Sequence, residues 1–154
     1  EAFERLPGWD KLLLLCATIE RSGKMEAKIN SLIEKKGLTG RVKLVTDFLD
    51  DDVVIASLAK CDLLVFPYQN TKESASGAVR MGVAAGVPLA VTPIPIFDDV
   101  TGAIRMRGGT VDDIVASVSK ISQDELDSSR KSMVELRDSL QWDEVAKRIQ
   151  TLLK

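Results

Sequence analysis

Short aliphatic runs set the pattern of this chain. Lys11 to Thr18 (KLLLLCAT), Asp62 to Phe66 (DLLVF) and Pro88 to Thr92 (PLAVT) are compact and apolar; the first has the pattern of a strand covered on both faces, the second reads as a buried strand and the third as a strand. Val42 to Val45 alternates less cleanly, but Gly40 and Asp47 bound it and it reads as a strand too. Helical segments fall between these runs. Met25, Ile29, Leu32 and Ile33 share one face of a helix that follows Ser22-Gly23. Its end at Lys35-Lys36-Gly37 has basic residues in the last turn and glycine just beyond. Asp50-Asp51-Asp52 supply a cap and first-turn acids for a helix through Lys60. Polar Tyr68 to Glu73 leads into a small-residue helix, Ser74 to Ala85, closed by Gly86. Pro93-Ile94-Pro95 forms a rigid turn, and a short strand is expected at Ala103 to Met106. A helix with Val111, Ile114, Val115 and Val118 on one face follows, then helices over roughly Asp124 to Leu140 and Trp142 to Leu153, with Trp142 as a packing anchor.

Strands alternating with helices predict an α/β fold, a Rossmann-like parallel sheet flanked by helices with a helical C-terminal extension. Residues 1–154 read as one domain, and a domain of this length buries roughly 70% of its unfolded surface without disulfide or metal staples. The opening Glu1 to Leu6, stopped by Pro7-Gly8, reads as the tail of a helix that starts before the given sequence.

Composition removes whole classes of chemistry. There is no histidine, so Ser-His-Asp and Cys-His nucleophiles, His-ligated zinc and imidazole acid–base catalysis are excluded. A net charge of −2 without a basic cluster makes nucleic acid an unsuitable partner. No apolar stretch is long enough for a transmembrane segment, and no signal peptide is seen. Cys16 and Cys61 sit in apolar contexts, as small core residues of a reducing compartment.

In open parallel sheets, ligands bind outside the carboxyl ends of the strands. The segments there are Thr46 to Asp50, Tyr68 to Gly77 and Thr92 to Asp98. Glu73-Ser74-Ala75-Ser76-Gly77 stands at a helix start, where free N–H groups and the helix dipole favour an anion. Its small side chains let a phosphate approach the backbone. Equally, Glu73 complements the dipole, Ser74 or Ser76 caps the helix, and the small residues serve packing; spacing alone leans towards this second reading. Neither G-x-x-x-x-G-K-[ST] nor G-x-G-x-x-G occurs. Asp50 to Asp52 and Asp98-Asp99 read as caps and turn acids before metal ligands, and Arg105 and Arg107 beside Gly108-Gly109 as an exposed rim before a phosphate clamp.

Taken in order, Val42 and Leu44, Asp50-Asp51, Leu58 and Cys61 to Pro67 are followed by Glu73, Ser76-Gly77, Gly82 and Ala85-Gly86-Val87-Pro88. This set resembles the C-terminal half of GT-B glycosyltransferases, most closely the large retaining family of glycogen synthases and bacterial mannosyl- and glucosyltransferases. In that family the stretch runs strand, Pro-Ser, a Glu-x7-Glu helix, then A-x-x-x-G-x-P. Trp142 and Ala146 resemble its W-x-x-x-A closing helix, so the resemblance covers nearly the whole chain.

The resemblance implies a donor-binding domain that takes part in sugar transfer from a nucleotide sugar, with retention. Glu73 matches the first motif Glu, beside the donor sugar and diphosphate, as the catalytic residue. Ser74, Ser76, Gly77 and Ala78 match the helix start that meets the phosphates, and Asp47, Phe48 and Leu49 the segment that lines the base through backbone groups. The second Glu, which binds the ribose, falls on Met81, and a thioether cannot replace it as an acceptor. The family's Gly-Gly before the next helix is replaced around Ile94-Pro95. The family's first strand with its basic loop and the N-terminal acceptor domain are expected outside this sequence. No cofactor or metal is implied, since the nucleotide sugar is a substrate. The partners implied are that donor and a glycan or lipid-linked acceptor. The setting implied is cytoplasmic, peripheral at the inner membrane in the full-length protein, in bacterial polysaccharide synthesis. The alternative is a non-catalytic interaction or scaffold module, which Met81 favours and Glu73 opposes.

Overall fold

A computed structural model describes residues 1–16, 23–70 and 75–153. The chain divides into two compact units, Glu1–Asp50 and Asp51–Lys154.

In the first unit a 3-10 turn, Phe3–Arg5, precedes β1 (Leu12–Leu15), α1 (Lys24–Lys35) and β2 (Val42–Val45). The two strands pair in parallel, Leu12 opposite Val42 and Leu15 opposite Val45. Helix α1 ends as its sequence requires. Gly37 takes φ +63°, a conformation costly for a side chain, and the next N–H, of Leu38, reaches back to the Ile33 carbonyl at 2.9 Å. That reversal buries Leu38, alongside Phe3 and Leu6. Arg41 ties the N-terminal segment to β2, donating to the carbonyls of Trp9 at 2.8 Å and Asp10 at 3.1 Å while its guanidinium lies 5.0 Å from the centre of the Phe3 ring. Ile29, Leu32 and Ile33 are half-buried as their spacing predicts, whereas Met25 at the first turn is exposed.

The second unit holds three parallel strands in the order β3 (Leu64–Phe66), β4 (Leu89–Val91) and β5 (Ile104–Arg105). Leu64 pairs with Leu89, Phe66 with Val91, and Ala90 with Ile104. The helices are α2 (Asp51–Leu58), α3 (Gly77–Ala85), α4 (Val111–Val118), α5 (Gln123–Ser139) and α6 (Trp142–Leu152), with a 3-10 turn at Pro95–Phe97. Parallel strands interleaved with helices make this the expected α/β class.

Val79, Gly82 and Val83 form the buried stripe of α3, at the i, i+3, i+4 spacing that faces a helix onto a sheet. Gly82 permits the close approach: a Cβ there would lie 3.0 Å from Leu89 Cδ2 and 3.1 Å from Leu64 Cδ1. With Leu89, Val91, Phe97 and Met133 these residues make one core. Full burial of each large side chain is worth about 1.5–3 kcal/mol. Helix α5 joins that core through Met133, and its buried Ser129 hydroxyl accepts from the Leu89 N–H at 3.4 Å. Both α4 and α5 open with capping boxes, Thr110 with Asp113 and Ser122 with Glu125.

Two expectations are corrected here. Trp142 is 85% exposed and anchors nothing, because α6 buries none of its residues. Helix α3 begins at Gly77 rather than Ser74, because Ser76 is extended (φ −112°, ψ 115°) and turns its side chain to cap the helix. No helix among the described residues is long and apolar enough to cross a membrane.

Candidate functional site

The carboxyl ends of β3, β4 and β5 open into a cleft of about 410 Å³. Tyr68, Gln69 and Asn70 enter it directly after β3, Thr92 to Ile94 after β4, and Gly108 to Thr110 after β5. Parallel strands bring three consecutive loops to one edge, and such an edge is where α/β sheets hold ligands.

Local bonding fixes the walls. The Tyr68 ring packs against Phe97 at 5.3 Å between centroids and edge-on to Phe66 at 6.1 Å. The Thr92 hydroxyl donates to the Tyr68 carbonyl at 2.8 Å, clamping the loop after β3 to the end of β4. Thr110 is consumed by its capping box: Oγ1 donates to Asp113 Oδ2 at 2.6 Å and accepts from the Asp113 N–H at 3.1 Å. Gly108 leaves room for the Asp113 carboxylate, since a Cβ would meet Asp113 Oδ2 at 2.5 Å and force that side chain to shift.

The start of α3 adjoins this cleft through Ser76. Its Oγ accepts from the Val79 N–H at 3.3 Å and donates to Tyr68 Oη at 3.2 Å, and the residue is only 5% exposed. The cap reading of Ser76 therefore holds, and its hydroxyl is occupied. Gly77 and Ala78 differ, because both are exposed and a Cβ built on Gly77 meets no atom of the described residues within 4 Å. First-turn N–H groups have no acceptor inside their own helix, an arrangement that suits an anion. Met81, one turn on, is half-buried. Asp47, Phe48 and Leu49 follow β2 in the first unit; Asp47 is exposed, Phe48 is 87% exposed and Leu49 is half-buried. Glu73 and Ser74 lie outside the described residues.

The remaining charged candidates are engaged or solvated. Asp99 pairs with Arg80 of α3, and Arg105 Nη2 donates to the Phe97 carbonyl at 2.7 Å. Asp50 to Asp52 are exposed at the start of α2. No group of three or more His, Cys, Asp or Glu that could hold a metal ion occurs among the described residues. Burial pushes both the Cys16 and Cys61 thiols up, and Asp62 adds to the effect at Cys61.

Sequence reasoning identifies the loops after β3 and β4 as site segments but misses the third wall. Gly108 to Thr110 follow β5, which lies within the short strand expected at Ala103 to Met106, but beside Arg105 and Arg107 the Gly-Gly pair reads as an exposed rim rather than a cleft wall.

No family model matches this sequence, and no curated protein matches it. Solved structures do. The fold matches one half of the GT-B fold. Sucrose-phosphate synthase from Thermosynechococcus elongatus aligns over 99% of the chain with a TM-score of 0.75 at 16% identity, using 39% of its own length. Anabaena HepE in complex with UDP and glucose aligns over 99% with a TM-score of 0.75 at 14% identity, using 42% of its length. HepE in complex with UDP-glucose gives a TM-score of 0.73 at 16% identity, over 43% of its length. The chain thus spans about two-fifths of the structures it matches.

Proposed function

We propose that this chain is the donor-binding domain of a retaining glycosyltransferase that takes its sugar from a nucleotide sugar. The observation that carries the reading is the start of α3: exposed Gly77 and Ala78, with no described residue within 4 Å of a Cβ at Gly77, at the carboxyl edge of a parallel sheet whose fold matches half of the GT-B fold. HepE, which shares this fold, is solved with UDP and with UDP-glucose. The N–H groups of the first turn hold the diphosphate, and the sequence segment Asp47 to Leu49 lines the base. Glu73 acts beside the transferred sugar. Catalysis in the intact enzyme is electrostatic, the positive helix end stabilising charge that develops on the leaving diphosphate. No metal is needed in that scheme. The acceptor, a glycan or a lipid-linked sugar, is held by a domain beyond the chain, and this chain alone transfers nothing.

Titration with UDP, GDP and ADP, followed by NMR chemical shifts, tests the reading. Shifts clustered on Asp47 to Leu49 and Glu73 to Ala78 are expected, and the nucleotide that produces them names the base. In the full-length parent, Glu73→Ala should reduce turnover at least about tenfold with folding intact. Unchanged turnover removes the role assigned to Glu73.

One observation favours a second reading. Met81 offers a thioether where a ribose-binding carboxylate would stand, as in an interaction module that has kept the fold and lost the donor. Silence towards every nucleotide in the full-length parent would select that reading.

A further inference from the structure

We propose that the Tyr68 phenol is a phosphate-binding donor of the nucleotide site, its proton directed by Ser76 away from the fold and towards an anionic oxygen. The choice of a phosphate rests on the donor-domain reading above; the direction of the proton and the fixed place of the ring come from the bonding around Tyr68.

Proton accounting gives the direction. Ser76 Oγ accepts from the Val79 N–H at 3.3 Å, and Ser76 is only 5% exposed, so its own proton needs an acceptor within the fold. Among the described residues that acceptor is Tyr68 Oη, at 3.2 Å. A phenol has a single proton to give, and its oxygen can accept at the same time. With the Ser76 proton pointing at Oη, the Tyr68 proton cannot point back along the same line, and among the described residues no acceptor takes it. Tyr68 is half-buried on the wall of the cleft that the start of α3 adjoins, so a ligand at that helix start can take it.

The ring that carries this proton is held in place. Phe97 lies 5.3 Å from it and Phe66 6.1 Å, between centroids, and the Tyr68 carbonyl accepts from the Thr92 hydroxyl at 2.8 Å. A donor fixed in this way loses little freedom when a ligand meets it. The chain of bonds also sets its strength. The Val79 N–H belongs to the first turn of α3, at the positive end of the helix dipole, and it begins a head-to-tail series that runs through the Ser76 hydroxyl to the phenol. Successive bonds in such a series strengthen one another by roughly 10–30% each. The polarised proton suits a charged acceptor, since hydrogen bonds to ionised oxygens are roughly twice as strong as neutral ones. Tyr68 thus adds a side-chain donor to the N–H groups of Gly77 and Ala78.

Tyr68 is the one tyrosine of the chain, so a ¹³Cζ tyrosine label reports its phenol alone. The labelled chain is titrated separately with UDP, inorganic pyrophosphate and uridine, and affinities are measured by calorimetry. UDP and pyrophosphate are expected to move the Cζ signal, and uridine to leave it in place. Tyr68→Phe keeps the ring and its packing and should weaken UDP binding about tenfold, here and in the full-length parent. Ser76→Ala removes the polarising neighbour but leaves the phenol, and should weaken binding about threefold at most. UDP that binds without moving the Cζ signal, or that binds Tyr68→Phe within about twofold of wild type, overturns the role of Tyr68 and leaves the donor-domain reading standing. A loss with Ser76→Ala as large as with Tyr68→Phe also overturns it, because the phenol then acts through the cap. So does a Cζ shift produced equally by uridine. Silence of the chain and of its full-length parent towards UDP, GDP, ADP and pyrophosphate overturns the donor-domain reading itself, and the role of Tyr68 with it.

Discussion

Replacing Gly77 with Asp separates stability from ligand binding, because the two should move in opposite directions. Gly77 is the first residue of α3, its φ is not in the left-handed region, and a Cβ there meets no described residue within 4 Å. A side chain is therefore accepted without strain. Loss of glycine's unfolded-state freedom contributes about 0.4–1 kcal/mol, and a carboxylate in the first turn about 0.3–1 kcal/mol more. Gly77→Asp should be about 1 kcal/mol more stable, raising Tm by about 2–4 °C in a chain of this size. Binding should fall. A carboxylate about 5 Å from a phosphate repels it by about 1–3 kcal/mol for effective dielectric constants of about 80 to 20, which corresponds to roughly fivefold to a hundredfold in affinity. Thermal unfolding gives the first quantity and calorimetric titration with UDP the second. Gly77→Ala is the control, sharing the entropic gain but not the charge. An Asp variant that binds UDP within twofold of wild type would refute the placement of the phosphates at this helix end.

Met133→Ala should destabilise the chain by about 2–5 kcal/mol in urea unfolding, since the side chain is fully buried in the core between α5 and the sheet; a loss under 1 kcal/mol would contradict that packing. The Ser122 N–H and hydroxyl, at 2.9 and 3.0 Å, hold the Glu125 carboxyl below the usual glutamate range. A depressed carboxyl stabilises fully above its unfolded pKa and loses that contribution as pH falls through the folded value, so Glu125→Gln should flatten the acid limb of the stability profile. An unchanged acid limb would show that the capping box does not persist in solution. Both cysteine thiols are pushed up by burial, so both should alkylate more slowly than glutathione at neutral pH, and rapid labelling of Cys61 would count against its placement. Met81→Glu should tighten UDP binding about tenfold if the ribose lies over α3, since hydrogen bonds to a charged acceptor are worth about 1.5–3 kcal/mol; unchanged affinity would place the ribose elsewhere.

Elements with strong local signals were legible in the sequence. β1 and β2 and the glycine stop of α1 depend on residues within a few positions of one another, and local patterns reveal such features directly. The pairing of β4 with both β3 and β5 is non-local, yet the alternation of strands with helices implies it. What failed depended on tertiary company. Trp142 looks like an anchor by type, but α6 buries none of its residues, so no local pattern reveals its exposure. The wall made by Gly108 to Thr110 exists only because β5 pairs with β4 and carries that loop to the same edge as Tyr68 and Thr92.

The Glu73 to Gly77 segment shows why spacing alone leaned towards one of two readings that are compatible. Ser76 caps α3 and buries its hydroxyl between the Val79 N–H and the Tyr68 phenol, so it has no spare donor for a ligand. A cap satisfies one of the four N–H groups at a helix start and leaves others open. The cap is therefore what holds the exposed amides of Gly77 and Ala78 at a fixed edge beside the cleft, and its Tyr68 partner links that edge to the cleft wall. If a diphosphate binds here, backbone groups rather than the Ser76 hydroxyl hold it. Side-chain substitutions at Ser76 should then act mainly through stability, whereas filling the space at Gly77 should act mainly through binding.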